Sequence, residues 1–194
     1  MTSFLVIGHT ASTDASFSLN DLPGGGGRMD LICRAVGSSL FLSHGIRTDT
    51  ICDILLLGQP HPSRIIRFDG SALRSLSPDE RNIASHIKRA LAIPTGKTLR
   101  QAGPGLFCKA GTLAEQLMEG KYAVLDESGI DIRTVGDEDM PDSFLLSDNQ
   151  NLTGAEQEIT ANLPCYSLGP SIVHADHAIV LILNEIDRRR SGWN

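Results

Sequence analysis

The feature of this sequence that most constrains its fold is an alternation of short apolar runs with amphipathic segments that begin at helix caps. The runs are rich in Val, Ile, Leu and Phe, and several are continuous; they span residues 4–7, 51–57, 65–68, 122–125, 143–146 and 165–168. Continuous apolar strands are typical of a parallel sheet that is covered on both faces. The alternation therefore predicts an α/β domain with a mostly parallel sheet flanked by helices.

The helical segments have recognisable starts. Residues 112–115 and 153–156 both read Thr-x-x-Glu, the spacing of a capping box. Residues 77–80, Ser-Pro-Asp-Glu, predict a third such start with the serine as the N-cap and the proline at the first helical position. Apolar residues at helical spacing predict two longer helices over residues 28–40 and 174–190.

Length and composition favour one domain over residues 1–194. A mass of 20.9 kDa suits a single core, and we interpret the Gly- and Pro-rich segment 92–105 as a long surface loop within it. The longest apolar runs are far shorter than the ~20 residues that span a membrane. The four cysteines are widely spaced, and we expect reduced thiols in a cytoplasmic protein without a secretory signal or a membrane segment.

The charge of the chain is divided unevenly. Residues 1–111 carry 12 basic and 8 acidic residues, whereas residues 112–194 carry 5 and 15, so a net charge of −6 hides a front half of +4. This asymmetry indicates an anionic partner for the front half, or else chance segregation of solvated charge. The three arginines at 188–190 suit the C-terminus of the last helix electrostatically and need no such partner.

The most unusual segment is residues 21–30, where four glycines precede a helix. Backbone amides before a helix N-terminus favour anions, and Arg28 and Arg34 add charge that can hold phosphate. The alternative is a flexible loop before a capped helix, in which Asp30 occupies the first turn for electrostatic reasons. Residues 166–174 offer a second candidate, because a strand enters a Gly-Pro bend with apolar walls that suit a flat heterocycle; an ordinary strand-to-helix turn is the alternative.

Other chemical patterns are incomplete. Residues 95–98, Thr-Gly-Lys-Thr, resemble the end of a P-loop, but Leu91 stands where that motif needs its first glycine, so a nucleotide triphosphatase is excluded. Neither a Gly-x-Gly-x-x-Gly fingerprint nor a Gly-x-Ser-x-Gly elbow is present. His174 and His177 have the spacing of two metal ligands, but the chain supplies no convincing third ligand, and we expect no metal.

Several motifs occur together in a fixed order. They read Asn-Asp-Leu-Pro-Gly at 20–24, Gly-Arg-Met-Asp-Leu at 27–31, Phe-Leu-Ser-His at 41–44, Gly-Gln-Pro at 58–60, Ser-Pro-Asp-Glu-Arg-Asn-Ile-Ala at 77–84, and Leu-x-Pro…His-Ala-x-His at 168–177. In these motifs the chain resembles the tRNA pseudouridine N1-methyltransferases, the TrmY family of the SPOUT class. The resemblance covers nearly the whole chain.

The resemblance implies a SPOUT-type sheet with a deep C-terminal trefoil knot, S-adenosylmethionine (SAM) as cofactor, a tRNA substrate and an obligate homodimer. By the family pattern the cofactor residues are Leu125, Ser147, Leu168, Gly169, Pro170, Ser171, Ile172, Val173 and Ala178. Relatives usually carry Gly where Ser147 stands and Cys where Ala178 stands. Both replacements are small, so we expect SAM binding to persist.

The activity implied is methylation of N1 of pseudouridine, at position 54 in the T-loop. Because the sulfonium of SAM is already activated, the protein must orient the acceptor nitrogen and manage its proton. Our candidates are Asp21 as proton acceptor, Arg28 as a second catalytic residue, and Arg28, Arg34 and Arg47 as RNA ligands. Two alternatives stay open: a catalytically silent knotted RNA-binding dimer, and a methyltransferase for another nucleoside, such as one in ribosomal RNA.

Overall fold

The structure, a computed structural model, describes residues 1–193; Asn194, the last residue of the expected domain, lies outside the described residues. The strands are β1 (Thr2–Gly8), β2 (Phe41–Leu42), β3 (Gly45–Ile46), β4 (Thr50–Leu56), β5 (Arg64–Asp69), β6 (Arg100–Gly103), β7 (Leu106–Ala110), β8 (Tyr122–Asp131), β9 (Ser143–Ser147) and β10 (Cys165–Ser167). The helices are α1 (Met29–Leu40), α2 (Glu80–Leu91), α3 (Leu113–Leu117), α4 (Gly154–Thr160) and α5 (Ala175–Ser191).

Eight of these strands form one sheet, in the order β10-β8-β9-β1-β4-β5-β7-β6, while β2 and β3 form a separate hairpin. The first five strands of that order are parallel, and the last three are added antiparallel to their neighbours. The sheet is therefore mostly parallel, as predicted. All six strands predicted from apolar runs are present.

Apolar side chains cover both faces of the sheet. Phe4 and Ile54 belong to the larger core, where α1, α2 and α5 pack. Leu5 and Leu55, the neighbours of those residues along the strands, point to the other face and pack with Leu113 of α3. Because successive side chains of a strand alternate between faces, a strand buried on both sides must be apolar at every position.

The prediction of one long surface loop over residues 92–105 is wrong in its second half. Arg100–Gly103 forms β6, which pairs with β7 after a tight turn at Pro104 and Gly105. Gly105 has a φ of +66°, a conformation that suits glycine. The sequence pattern does not predict this strand because its first two residues, Arg100 and Gln101, are polar and exposed, so no apolar run marks it. We name β5, α2, β6 and β7, residues 64–110, the antiparallel wing.

The helix starts are confirmed at two of the three predicted boxes. The Thr-x-x-Glu segments before α3 and α4 both make the reciprocal hydrogen bonds of a capping box. At α2 the prediction of Ser77 as the cap is wrong: the Asp79 carboxylate accepts from the Asn82 amide at 2.8 Å, and Ser77 Oγ donates to that carboxylate. Pro78 thus precedes the helix. The amide and hydroxyl donors lower the pKa of Asp79.

Strand β8 leaves its pairing with β10 for several residues. Val124 pairs with Cys165, but the next pair is Ile130 with Tyr166. A step of one residue along β10 therefore matches a step of six along β8. We name the segment that loops out, residues 125–129, the β8 bulge. Its last residue, Gly129, returns so close to β10 that a Cβ there would lie 2.6 Å from backbone atoms of Tyr166.

All four cysteines are unpaired thiols, in agreement with the expectation of a reduced protein. Burial raises the pKa of Cys52 to about 12 and that of Cys108 to about 11, so both thiols stay protonated. No helix within residues 1–193 combines the length and the apolar character needed to cross a membrane.

Substituting Gly129→Ala tests the close approach of the β8 bulge to β10. The added methyl group collides with the backbone of Tyr166, and we expect a loss of about 1–3 kcal/mol in the free energy of unfolding, the usual cost of overpacking. Urea denaturation measures the loss. Gly154→Ala is the matched control, because a Cβ at Gly154 meets no atom within 4 Å. Equal stability of the two variants would contradict the packing described.

Candidate functional site

The ends of three neighbouring parallel strands and the start of α5 meet at one edge of the sheet. The β8 bulge interrupts β8, the loop 148–153 follows β9, and the segment 168–174 connects β10 to α5. Loops at the carboxyl ends of parallel strands are the usual location of ligand sites in α/β proteins. Two adjoining cavities open between these loops.

The first cavity lies between the β8 bulge and the segment after β10, and the second between the β8 bulge and the loop after β9. Their volumes are about 360 and 620 Å³, including space open to solvent. Both are lined by Leu125, Asp126, Glu127, Ile172, Val173 and Ala178. Of the nine residues expected to bind the cofactor, eight line one cavity or both; Pro170 lines neither. The structure therefore gathers residues that are 53 positions apart in the chain.

The lining of this site combines apolar side chains with polar and acidic ones. Leu125, Leu168 and Val173 supply apolar surface, while the carboxylates of Asp126 and Glu127 stand at the opening. Such a site suits a flat apolar ring joined to a cationic group. The sequence analysis missed the two carboxylates, although their position directly after a predicted parallel strand was a usable signal.

The turn that closes the site is held by its own polar groups. Ser167 Oγ donates to the Gly169 carbonyl at 3.0 Å and accepts from the Gly169 amide at 3.3 Å. Gly169 has a φ of +156°, a conformation that side chains disfavour. These contacts bend the chain from β10 towards α5 across the ends of β8 and β9.

The two positions where this chain departs from the family pattern leave the site open. Ser147 turns its hydroxyl to the Gln150 carbonyl, to which it donates a hydrogen bond, so the added oxygen is satisfied within its own loop. Ala178 is buried and presents only a methyl group to the cavities. Neither replacement fills the space that the surrounding residues enclose.

A buried ionic network fixes the loop after β9. The Asp148 carboxylate accepts from the His9 amide at 2.8 Å and contacts His9 Nδ1 at 2.9 Å, and Glu156 Oε2 contacts His9 Nε2 at 3.1 Å. Glu156 is also the capping-box residue that binds the amide and hydroxyl of Thr153. His9 at the end of β1 thereby joins both ends of the 148–153 loop.

Opposite charges in this network favour the charged forms of His9 and Glu156. Burial alone would lower the pKa of His9, but hydrogen bonds to Asp148 and Glu156 and the charges of those carboxylates outweigh it and raise the pKa above 6.5. Burial raises the pKa of Glu156, and its hydrogen bonds from Thr153 and His9 lower it by more. The two carboxylates therefore favour the imidazolium form of His9 over its neutral form.

The Gly-rich segment before α1 forms a compact turn around Asp21. The Asp21 carboxylate is exposed and accepts from the amides of Gly24 at 3.0 Å and Gly25 at 2.7 Å. Thr10, next to His9, donates from Oγ1 to the Gly27 carbonyl at 2.9 Å. The turn therefore packs on the loop after β1, at the same edge of the sheet as the cavities.

Two of the three arginines expected to bind RNA lie together, and both contact Asp30. Arg28 Nε and Nη2 donate to the Asp30 carboxylate at 3.0 and 3.1 Å, and Arg34 Nη2 lies 3.5 Å from Asp30 Oδ2. The hydrogen bonds to Asp30 raise the pKa of Arg28, with a further contribution from the charge of Asp148. Arg28 is thus close to the loop that lines the second cavity.

Arg47 lies elsewhere. Its guanidinium donates to the Asp187 carboxylate of α5 at 3.0 Å through Nη1, and its backbone amide donates to the carbonyl of Leu40 at the end of α1. The 12 residues of α1 span about 18 Å, so the structure does not bring Arg47 to Arg28. Arg47 is thus paired with Asp187 of α5 in this structure.

His174 and His177 make no metal centre with their neighbours. Their rings meet edge to face with centroids 5.9 Å apart. In the part of the chain that the structure describes, no group of three or more His, Cys, Asp or Glu side chains is placed to hold a metal ion. His174 instead serves as the N-terminal boundary of α5.

The family model and the relatives that match this chain all carry the names of RNA methyltransferases. A family model described as "Putative SAM-dependent RNA methyltransferase" matches residues 1–191. A protein of Methanospirillum hungatei named tRNA (pseudouridine(54)-N(1))-methyltransferase is 78% identical over 193 residues, covering 100% of both chains. One of the same name from Methanocorpusculum labreanum is 48% identical, covering 97% of this chain and 98% of its own.

A solved structure shares the fold. The crystal structure of Archaeoglobus fulgidus Nep1 bound to S-adenosylhomocysteine superimposes with a TM-score of 0.67, at 10% sequence identity, over 98% of this chain and 99% of that one. At this identity the likeness establishes the arrangement of strands and helices.

The His9 network makes stability depend on pH in a defined direction. Because the folded-state pKa of His9 is raised, its contribution is complete below about pH 6.5 and declines as the pH rises through the raised value. We expect the difference in Tm between wild type and His9→Gln to be largest near pH 6 and smallest near pH 9. Calorimetric scans from pH 6 to 9 measure it. A difference that grows with pH would contradict a charged His9.

Proposed function

We propose, since this chain belongs to the RNA methyltransferase family whose model spans residues 1–191, that it methylates N1 of pseudouridine 54 in tRNA with SAM as methyl donor. The observation that carries the proposal is 78% identity, over the full length of both chains, to a protein named for this activity. The site geometry supports it, because the residues of the family's cofactor pattern surround one pair of cavities.

The cavities have the chemistry that SAM requires. Apolar residues on the segment after β10, Leu168, Ile172 and Val173, would hold the adenine ring, and its backbone polar groups would bind the ring edge. The carboxylates of Asp126 and Glu127 suit the cationic groups of SAM. Nep1, which has the same fold, was crystallised with S-adenosylhomocysteine, the form that SAM takes after it has lost its methyl group, and this supports the assignment. When bound, the sulfonium supplies an activated methyl group.

The protein's own task is to orient the pseudouridine and accept the N1 proton. Asp21 is suited to this because its carboxylate is exposed, at the edge of the sheet where the cavities open, and held by two glycine amides. Two nitrogens of Arg28 are occupied by Asp30, which fixes the guanidinium and leaves Nη1 for a substrate oxygen. A positioned base contributes typically 10²–10⁴-fold to such a proton transfer.

The path of the chain supports a C-terminal knot within a single domain. β10 lies at one edge of the sheet, beside β8, yet α5 packs against α1, which follows the central strand β1. The connecting segment must therefore cross the ends of β8 and β9, where it meets the 148–153 loop in the second cavity. Residues 1–193 share one large sheet, which supports one domain, and we propose that it acts in the cytoplasm.

The outer face of α5 supports a homodimer. Val180 and Leu181 are 52% and 45% exposed, and Ile172 and Val173, which line the cavities, are exposed as well. A second copy that covered this face would bury apolar area and close the cofactor site from outside.

Substituting Asp21→Asn tests the proton acceptor. Asn keeps one oxygen, and with it one of the two hydrogen bonds from the glycine amides, but it cannot take a proton. We therefore expect kcat to fall about 10²–10⁴-fold with little change in SAM affinity. Mass spectrometry of digested tRNA measures the methylation. Asp14→Asn is the control, because Asp14 is a loop carboxylate that binds the amide and hydroxyl of Ser16 in a similar turn. Wild-type rates for Asp21→Asn would remove Asp21 from this role.

Substituting Leu181→Arg tests the dimer. A charge in the middle of the apolar face should convert the dimer to a monomer and weaken SAM binding, because the rim residues Ile172 and Val173 lose their cover. Sedimentation velocity and calorimetric titration measure the two effects. Met118→Arg is the control and should change neither property, because Met118 directly follows α3 and its side chain is 88% exposed. A Leu181→Arg protein that remains dimeric would contradict this interface.

A further inference from the structure

Positive charge in this protein is concentrated in the antiparallel wing. Residues 64–110 carry nine basic and three acidic residues, a net charge of +6, whereas the rest of the chain carries eight basic and twenty acidic residues, a net charge of −12. The three acidic residues of the wing, Asp69, Asp79 and Glu80, lie at the end of β5 and the start of α2. Asp69 is remote from the edge of the sheet that carries the cavities, because β5 runs antiparallel to β4. Glu80 is paired with Arg34 of α1 at 4.0 Å.

The wing also holds most of the cations that lack a carboxylate partner. Nine of the seventeen Lys and Arg side chains form an ion pair within 4.0 Å, including Arg28, Arg34 and Arg47. Eight make no such pair with any residue from 1 to 193, and six of these lie in the wing: Arg64, Arg74, Arg81, Lys88, Arg89 and Arg100. The unpaired positive charge of the front half therefore lies mainly in the wing. Arg28, Arg34 and Arg47, which the sequence analysis expects to bind RNA, are all paired with carboxylates.

Three of these six form a surface on one side of the sheet, which we name the basic edge: Arg64, Arg89 and Arg100. Arg64 pairs with Ala110 and Arg100 with Cys108, two residues apart on β7, so both side chains point to the face that α2 covers. Arg89 of α2 extends over the edge strand β6, where its Nη1 lies 3.2 Å from the place that a Cβ of Gly103 would occupy. Gly103 leaves room for that guanidinium.

Neutral carbonyl groups hold two of these three side chains in place. Arg64 Nη1 donates to the Pro62 carbonyl at 2.8 Å, and Arg100 Nη1 donates to the Pro94 carbonyl at 3.3 Å. A carbonyl orients a guanidinium without cancelling its charge, so the remaining nitrogens stay available to an anion. Arg89 and Arg100 are exposed and Arg64 is half-buried.

The basic edge lies far from the cofactor cavities. Five strand spacings separate β9 from β6, about 24 Å across the sheet. The loops between are joined by hydrogen bonds, such as those from Thr13 to the carbonyls of Gly58 and His61, so the surface from the Gly-rich turn to β5 is continuous. An anion that contacts the basic edge and also reaches the cavities must extend over about 24 Å.

We propose that the basic edge is the docking surface for the phosphate backbone of a tRNA stem whose loop enters the cofactor site, an inference that rests on the proposed function. Phosphate contacts position a nucleic acid without reading its sequence, and A-form stems are bound largely through backbone. Three guanidiniums suit this task because each donates a fork of hydrogen bonds to phosphate oxygens. The acidic remainder of the protein repels RNA and restricts it to this side.

The test is the salt dependence of tRNA binding, measured by fluorescence anisotropy with a labelled tRNA and with a seven-nucleotide single-stranded T-loop. For the triple variant Arg64→Gln, Arg89→Gln, Arg100→Gln we expect a Kd for tRNA weaker on the order of tenfold or more. The slope of log K against log salt should be shallower by about 2–3, because each lost phosphate contact removes about 0.9. Binding of the short loop, which cannot span the distance, should be unchanged.

Two controls separate this effect from general loss of charge or of structure. Lys121→Gln removes another cation without an ion pair, outside the wing, and should bind tRNA as wild type does. The triple Arg→Lys variant keeps the charge and should regain most of the affinity. The proposal is overturned if the Gln variant binds tRNA with the wild-type slope, or if the short loop loses affinity equally. Methylation of pseudouridine 54 by the wild type, followed by mass spectrometry, is scored separately, so absent activity with wing-dependent binding would refute only the proposed function.

Discussion

The parallel pairing of β10 with β8 is the constraint on which the rest of the site depends. It places the end of β10 at the edge of the sheet, while the core position of α5 beside α1 requires the chain to return across two strand ends. The β8 bulge makes space for this crossing, and Gly129 lets β8 rejoin its partner. The cavities are the space left between the crossing segment and the strands beneath it.

A second level of organisation holds the loops that surround this space. His9 connects the end of the central strand to the two ends of the loop after β9 through buried carboxylates. Thr10, its neighbour, binds the Gly-rich turn that carries Asp21. One short segment after β1 therefore contacts both the loop that lines the second cavity and the turn that carries the candidate proton acceptor. This coupling places the two within one rigid arrangement, which orientation-dependent chemistry requires.

Local signals in the sequence were sufficient for much of this fold, and non-local ones were not. Continuous apolar runs predicted β1, β4 and β9, because burial on both faces leaves its mark at every residue. The sequence pattern does not predict β6, because an exposed edge strand needs no apolar run. It also misplaces the cap of α2, because Ser77 and Asp79 are both suitable N-cap residues and lie only two positions apart. The family pattern identified eight residues that line the cavities, but only coordinates show that Arg47 is paired with Asp187, far from Arg28.

The two outermost strands of the sheet have a consequence for the behaviour of the protein at high concentration. β10 contains three residues and β6 four; Pro164 immediately precedes β10, and Pro104 immediately follows β6. A short edge strand next to a proline offers few free amides and carbonyls to which another chain could add a strand. Such edges disfavour the addition of a strand from another copy, the step from which cross-β aggregates grow.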